Sequence, residues 1–472
     1  MLTQTIHGSA HAIPLPDQSV HAIITSPPYY GLRQYAGDQM VEWPAVEYYP
    51  MTGLKEAGMP PLRIQGCDPA CDHEWGDPLI KDKRGLDTRS SGLVGHQRPD
   101  CRQFPASQFC QKCGGWRGGL GSEPSIEAFV GHLLLCLREW WRILRDDGCC
   151  FVNLGDSYAN DAKWGGATGS KSVAKLHGNT GIGRTRKRTG LPPKNLMMIP
   201  ARFALAAQAD GWTVRSDIIW AKGVSFLEEY AGSSMPESVQ DRPSKSHEYI
   251  YLLTKGQRYF WDKEAVKEQS TGQGGQAASF KRPTKEELAP NQSATQHRLD
   301  RKDRQDNGGR SLRSVWVINP GSYPDAHFAT YPPALVEPMI RAGTSQRGCC
   351  PACGAQWRRA VEKGLTAHDG ETESQYESGS TANRLARMHQ AARERGTEYG
   401  SGSVTTGWQP ACTCDAGDPI PATVLDPFVG SGTTLRVATE LNRRSIGVDI
   451  SKEYLETLVP ARVAGVQIGM NL

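Results

Sequence analysis

The chain has no run of about 18 apolar residues, and its opening stretch, MLTQTIHGSAHAIPLPDQ, has no basic segment leading into an apolar one. The first absence excludes a membrane-spanning helix and the second argues against a secretory signal, so a cytoplasmic protein with no membrane partner is expected. A surplus of charge is missing too. Lys and Arg number 54 against 50 Asp and Glu, a net charge of +4, which leaves no whole-molecule polycation to draw in nucleic acid. Any basic surface must be local. No internal repeat divides the sequence. The residues AVILMFWYC make up 38% and 51 further residues are Gly, an ordinary globular fraction that argues against wholesale disorder. At 472 residues the chain exceeds one typical domain, so one large core with insertions, or two to three domains, is predicted.

Thirteen cysteines are present, several in CxxC or CxC spacings. In a reducing compartment such spacings favour thiolate metal ligands over disulfides. Cys67 and Cys71 with Cys110 and Cys113 form one candidate four-thiolate site, and Cys350 and Cys353 with Cys412 and Cys414 another. His73 is an alternative ligand in the first and Cys349 in the second. Four ligands in two close pairs suit a tetrahedral, structural Zn2+, which would staple a loop-rich insertion that apolar burial alone cannot fold. Cys136 and Cys149 lie in apolar segments and read as reduced core residues.

Alternating strands and helices imply an α/β fold built on a parallel sheet. Strands are predicted at Thr3 to His7, at Val20 to Ile24, at Cys149 to Leu154, at Thr213 to Trp220, at Tyr249 to Leu253, at Ser314 to Ile318, at Thr423 to Leu425 and at Ser445 to Val448. Apolar residues from Ile126 to Leu144 recur at steps of three and four, which predicts a long amphipathic helix with Ser125 as N-cap and Gly148 as its stop. Further helices are predicted over Pro200 to Ala209, Pro332 to Ala342 and Thr433 to Leu441. Residues 161–190 carry seven Lys and Arg against one Asp, a basic loop suited to a phosphate backbone or simply to solvent.

Two stretches carry chemistry. In VLDPFVGSGTT (Val424 to Thr434) an acid ends a strand and a Gly-rich turn opens a helix, the place where ligands bind in open α/β sheets. Gly430 and Gly432 let backbone approach a ligand closely, and Asp449, ending the next strand, suits ribose hydroxyls. The Lys of a phosphate-binding loop is missing after Gly432, and so is the GxGxxG order of a dinucleotide site. A nucleoside cofactor without phosphates remains, and S-adenosylmethionine fits that description; a purely structural strand–turn–helix is the competing reading. The second stretch is ITSPPYY (Ile24 to Tyr30), where Pro27 and Pro28 stop a strand and leave a rigid loop.

The second stretch resembles the Ser-Pro-Pro-Tyr catalytic motif of DNA amino-methyltransferases, and the first resembles their Asp-Pro-Phe-x-Gly-Ser-Gly-Thr cofactor motif. Catalytic motif first and cofactor motif last is the permuted order of the beta class. GSAHAIPLPDQSVHAIITSPPY, LREWWRILRDDGCCFVNLGDSY, VRSDIIWAKG, RPSKSHEYIYLLTK, HFATYPPALVEPMI and RRSIGVDISKEY extend the likeness over most of the predicted core. It implies a Rossmann-like methyltransferase sheet, which would carry the two Cys-rich, zinc-binding insertions read from the cysteine spacing. The expected activity is methyl transfer from S-adenosylmethionine to the exocyclic amine of a base flipped out of double-stranded DNA. Ser26, Pro27, Pro28 and Tyr29 are the expected catalytic residues, with Asp426, Pro427, Phe428, Gly430, Ser431, Gly432, Thr433 and Asp449 on the cofactor.

No Pro-Cys dipeptide occurs, so the nucleophile of carbon-5 cytosine enzymes is lacking. Ser at position 26 favours N4 of cytosine, since Asp is commoner there in N6-adenine enzymes; N6 of adenine stays open. Methylation of RNA or of a protein amide competes with both, and so does a catalytically inactive zinc-containing DNA-binding protein. Ser9 replaces the Asp that often follows Gly ahead of the catalytic motif. The predicted organisation places the catalytic motif in 1–50, a Cys-rich insertion in 51–122, and core in 123–264 with the basic loop. A polar linker or recognition segment follows in 265–310, then core in 311–346, a second Cys-rich insertion in 347–420, and the cofactor part in 421–472. The resemblance admits a homodimer and a cognate restriction endonuclease as partners.

Overall fold

The structure, a computed structural model, describes residues 2–31, 40–77, 107–159, 190–225, 239–268, 310–320, 331–363 and 403–466. The basic stretch of 161–190 and the polar stretch of 265–310 lie outside the described residues, apart from 190, 265–268 and 310.

Eight strands form one central sheet: β1 (Thr3–His7), β2 (Val20–Thr25), β3 (Leu144–Leu154), β4 (Thr213–Ala221), β5 (His247–Thr254), β6 (Val315–Val317), β7 (Thr423–Asp426) and β8 (Arg444–Asp449). Their order across the sheet is β1-β8-β7-β2-β3-β5-β4-β6. β5 runs antiparallel to both of its neighbours, whereas every other pairing is parallel. The expected all-parallel sheet is therefore corrected to a mixed one. Orientation was not legible because strands parallel and antiparallel alike read as apolar runs when both faces are covered.

Both faces are covered. Along β3, Cys150, Val152 and Leu154 oppose Cys149 and Phe151, a period of two that follows from the pleat. Along β2, Ile23 and Ile24 face opposite clusters, and a register shift between Val20 and Ala22 puts Val20 in the same cluster as Ile23. Helices α1 (Ile126–Ile143) and α2 (Ile199–Ala209) cover the first face; α3 (Pro333–Gly343) and α4 (Thr433–Glu440) cover the second. A short α5 (Val459–Val463) closes the core beyond β8.

The Ser125 side chain accepts the Ala128 amide, as a helix N-cap should. The other end departs from expectation. α1 stops at Ile143 and β3 begins at the next residue, so Gly148 lies inside the strand. A Cβ on Gly148 would come within 2.6 Å of the Leu144 side chain and 2.9 Å of the His21 carbonyl oxygen. Close approach between β2 and β3, not helix termination, is what this glycine serves.

Small antiparallel strands outside the sheet lie in the Cys-rich stretches or pair with them. Residues 41–42, 116–118 and 107–109 form one group, 46–48 and 62–64 a second, and 358–363 with 403–409 a hairpin. Among the described residues, no helix is long and apolar enough to cross a membrane.

Candidate active site

The chain leads rightward in the sheet from β2 to β3 and leftward from β7 to β8, and β7 and β2 are neighbours, with Leu425 opposite Ile23. Strand order thus reverses between them, and a crevice opens there at the carboxyl ends. Ser26 to Tyr30 leave β2 at that edge, and Phe428 to Gly432 leave β7 beside them. The two stretches separated by some 400 residues are brought together.

Asp426 is the link. It is 1% exposed. Its Oδ1 accepts from Thr25 Oγ1 at 2.7 Å and from the Phe428 amide at 3.1 Å; its Oδ2 accepts from Tyr331 Oη at 2.8 Å and Thr434 Oγ1 at 2.7 Å. A carboxylate has about four acceptor positions, so this one is fully occupied from within the protein. Burial raises its pKa and the four donors oppose that rise. Burial and the neighbouring Asp426 likewise push the Tyr331 hydroxyl well above the usual range.

Beyond Asp426 the chain turns through Gly430 and Gly432, at φ of 48° and 83°, and α4 begins at Thr433. Such left-handed positions favour glycine. The Gly430 amide donates to Asp449 Oδ2 at 3.0 Å, and the Ser451 amide to Asp449 Oδ1 at 2.8 Å. The Ile450 amide also donates to this carboxylate, which leaves about one acceptor position free. Burial pushes this carboxyl up to about 6 despite those amides, and the Asp426 charge adds to the rise. Ser431 and Thr433 are buried, and Phe428 is partly buried with its ring edge-on to Trp140, centroids 6.0 Å apart.

On the other side of the crevice Ser26 Oγ donates to Tyr29 Oη at 3.3 Å. Tyr29 Oη donates to Glu248 Oε2 at 2.6 Å and accepts from Asn153 Nδ2 at 2.8 Å. Lys222 holds the other Glu248 oxygen. The loop's far end is fixed by Gly31, whose amide donates to the Gly121 carbonyl at 2.9 Å. A Cβ on Gly121 would sit 2.7 Å from the Tyr29 carbonyl oxygen, so only glycine lets the first Cys-rich stretch run this close.

Two sulfur-rich clusters are assembled. Cys350, Cys353, Cys412 and Cys414 converge as expected, with ligand atoms within 4.8 Å of one another. The other cluster is Cys71, His73, Cys110 and Cys113. Cys67 is thus corrected to His73, the alternative at that site. The Cys67 amide donates to the Trp43 carbonyl and its thiol to the Trp116 carbonyl at 3.4 Å, which hold it to the small strands instead. Burial works against it, but the Cys113 amide and the His73 ring bring the Cys110 thiol down to about 6.

Thr25, Tyr331, Thr434, Asn153, Lys222 and Glu248 were not singled out from sequence. All six lie within five residues of a Pro or Gly and in the stretches that carry the resemblance, which was the available signal. The comparisons with known sequences agree with the geometry. The N6/N4 DNA methylase family model matches residues 20–350 and 419–460. The type II methyltransferase M.SmaI of Serratia marcescens is 29% identical over 71% of this chain and 75% of its own length. M.Cfr9I of Citrobacter freundii is 35% identical over 48% of this chain and 59% of its own. The solved structure of PvuII DNA methyltransferase (cytosine-N4-specific) is 12% identical, over 100% of this chain and 88% of that one, at a TM-score of 0.42. With a permuted motif order, an acid-ended β7 beside the Ser-Pro-Pro-Tyr loop, and a family match over most of its length, the chain belongs to the N6/N4 DNA methylase family, as a beta-class amino-methyltransferase that uses S-adenosylmethionine.

Proposed function

We propose that this chain methylates the exocyclic amine of a DNA base turned out of the duplex, and that the target is N4 of cytosine. The observation that carries the reading is Ser26 at the mouth of the crevice. Its hydroxyl proton is engaged by Tyr29, which leaves its lone pairs as acceptors. An exocyclic amine is a poor nucleophile because its lone pair is delocalised into the ring. The Ser26 hydroxyl and the Pro27 carbonyl accept its two N–H hydrogens, draw the nitrogen toward tetrahedral geometry and expose that lone pair. Pro27 and Pro28 keep the loop rigid, and Tyr29 stacks on the extruded base.

The cofactor residues fit S-adenosylmethionine. Asp449 has acceptor capacity left for ribose hydroxyls, and Gly430 and Gly432 take the left-handed backbone of the turn that opens α4. Pro427 and Phe428 flank the nucleoside, while Thr433 opens the helix behind it. Asp426, with every acceptor position taken, acts by fixing this loop. S-adenosylmethionine supplies a methyl group on a positively charged sulfur when bound.

The two sulfur clusters hold structural zinc in this reading. Bond lengths of about 2.3 Å to sulfur and 2.0–2.1 Å to nitrogen in a tetrahedron put ligand atoms about 3.8 Å apart for S···S and about 3.6 Å for S···N. Cys71 Sγ and Cys110 Sγ are 3.9 Å apart, and Cys113 Sγ and His73 Nδ1 3.5 Å. Duplex recognition falls to these insertions and to the basic residues of 161–190.

Incubation with labelled S-adenosylmethionine and unmethylated genomic DNA, followed by nucleoside analysis, tests the reading. N4-methylcytosine is expected. N6-methyladenine would move the target to adenine, and cofactor binding without transfer would favour an inactive DNA-binding protein. Ser26→Ala should cost roughly 100-fold or more in turnover and leave cofactor affinity unchanged; equal loss of both would argue against its role.

A further inference from the structure

A ring serves as a stacking platform only if its plane is fixed, and the two prolines fix the backbone at Tyr29 without fixing its side chain. Two contacts do that. Along its flank the ring lies against Gly155, where a Cβ would come within 2.6 Å of Tyr29 Cε2. At its tip the hydroxyl donates to Glu248 Oε2 at 2.6 Å, the length of a charge-assisted O–H···O⁻ bond. From this geometry we infer that Glu248 is a positioning residue for catalysis, which sets the orientation of Tyr29 and, through the Tyr29 hydroxyl, the proton of Ser26. The inference rests on the reading of Tyr29 as the base-stacking residue.

The Glu248 carboxylate is itself held. Its Oε2 also accepts from Asn153 Nδ2 at 2.9 Å, and its Oε1 pairs with the Lys222 ammonium. Lys222 stands 4.6 Å from the Trp220 ring centroid, and its amide donates to the Ser246 carbonyl. A carboxylate pinned at both oxygens presents a fixed acceptor to the phenol. The phenol oxygen in turn accepts from Asn153 and Ser26, so its own proton goes to Glu248 and the Ser26 proton goes to Tyr29. Remove the charge at 248 and the hydroxyl can turn; Ser26 then loses the partner that keeps its lone pairs for the substrate amine.

The fold explains why this residue is available. β5 is the one reversed strand, so its first residues reach the edge where the parallel strands end. A parallel strand there would carry position 248 to the opposite end of the sheet. An ion pair with a purely structural role would not act on turnover separately from stability.

The test uses the full chain, labelled S-adenosylmethionine and unmethylated genomic DNA. Glu248→Gln should lower kcat about 10- to 100-fold while cofactor Kd stays within about twofold. Tyr29→Phe should do the same, and the double variant should be no worse than the poorer single one, because both remove one interaction. Should Glu248→Gln fold badly because Lys222 loses its counter-ion, Lys222→Gln with Glu248→Gln removes both charges and must show the same loss of kcat. Wild-type kcat in Glu248→Gln, or losses that multiply in the double variant, would overturn the inference. Full turnover in Tyr29→Ala would instead sink the stacking role on which it rests. An inactive Tyr29→Ala beside a fully active Glu248→Gln would overturn Glu248 alone.

Discussion

Thr25→Val tests whether the catalytic and cofactor loops share one anchor. The change keeps the shape of the side chain and deletes one hydroxyl. Thr25 and Asp426 are each 1% exposed, and the bond between them is 2.7 Å long, so no water replaces it. A hydrogen bond to a charged group contributes about 1.5–3 kcal/mol. The methyl group that replaces the hydroxyl returns about 0.8 kcal/mol on burial. Asp426 keeps the Phe428 amide, Tyr331 and Thr434, so its charge is not stripped of partners. The net loss is therefore about 1–2 kcal/mol, which thermal unfolding followed by circular dichroism would register as a drop of a few degrees.

Function should suffer more than stability. Thr25 directly precedes Ser26, and Asp426 directly precedes the turn at Pro427 and Phe428. Once the tether is cut, the loop can shift by about 1 Å, a displacement that costs on the order of 100-fold in turnover when it misplaces a catalytic group. Methyl transfer to genomic DNA and calorimetric binding of S-adenosylmethionine measure the two sides separately. The expected result is a turnover loss of about 10- to 100-fold together with weaker cofactor binding, unlike Ser26→Ala, which spares binding. Thr25→Val with wild-type turnover and affinity would refute the shared anchor.

Asp449, as the proposed ribose acceptor, should make cofactor binding depend on pH. Its folded pKa is about 6 against an ordinary 3.8, so the empty site takes up a proton below pH 6, whereas ribose hydroxyls need the ionised acceptor. Affinity for S-adenosylmethionine should rise up to about pH 6 and level off above it, and calorimetry from pH 5 to 8 should find Asp449→Asn without that slope. The sign for stability is opposite: ionising Asp449 between its unfolded value and about 6 costs folding free energy, so thermal scans of the cofactor-free chain should show this contribution lost as pH rises through that window. Metal analysis of the purified chain should give two zinc ions, falling to one in His73→Ala and staying at two in Cys67→Ala.

What was legible in the sequence was local. Thr3 to His7, the apolar run into Thr25, and the acid ends of β7 and β8 stand where the pattern of strand, turn and helix puts them. The spacing of three and four residues located α1 and its Ser125 cap. What was not legible depends on pairing across long separations. The reversal of β5 is decided by the return path of the chain, and the Tyr29 to Glu248 bond spans 219 residues. His73 against Cys67 turns on which side chain the small strands divert, and two carbonyl groups divert Cys67. Gly148 read as a helix stop because a glycine after a helix usually is one; here a neighbouring strand needed the space.

The two sulfur clusters join the core at opposite ends of the sheet, and that placement separates their consequences. The first stands on the side of the chemistry: its chain continues through Trp116 to Gly121, which touches the Tyr29 backbone. Trp43 and Trp116 both stack with His132 of α1, whose Nδ1 pairs with the fully buried Glu123. The second grips the amino ends of the strands. The Thr423 amide donates to His21 Nδ1, the other His21 nitrogen meets the Gly354 carbonyl at 2.9 Å, and Arg145 donates to the Cys353 carbonyl. His21 is the second residue of β2 and Ser26 follows its end, a separation of about 16 Å at the usual rise per residue. Residues 351–418, which the family match skips, fall within this second stretch. A disturbance at Cys110 therefore has a path to the substrate loop along residues 110–121, whereas one at Cys353 must travel the length of β2 through a closely packed sheet, so substitutions in the first cluster should lower turnover and those in the second should lower the stability of the core.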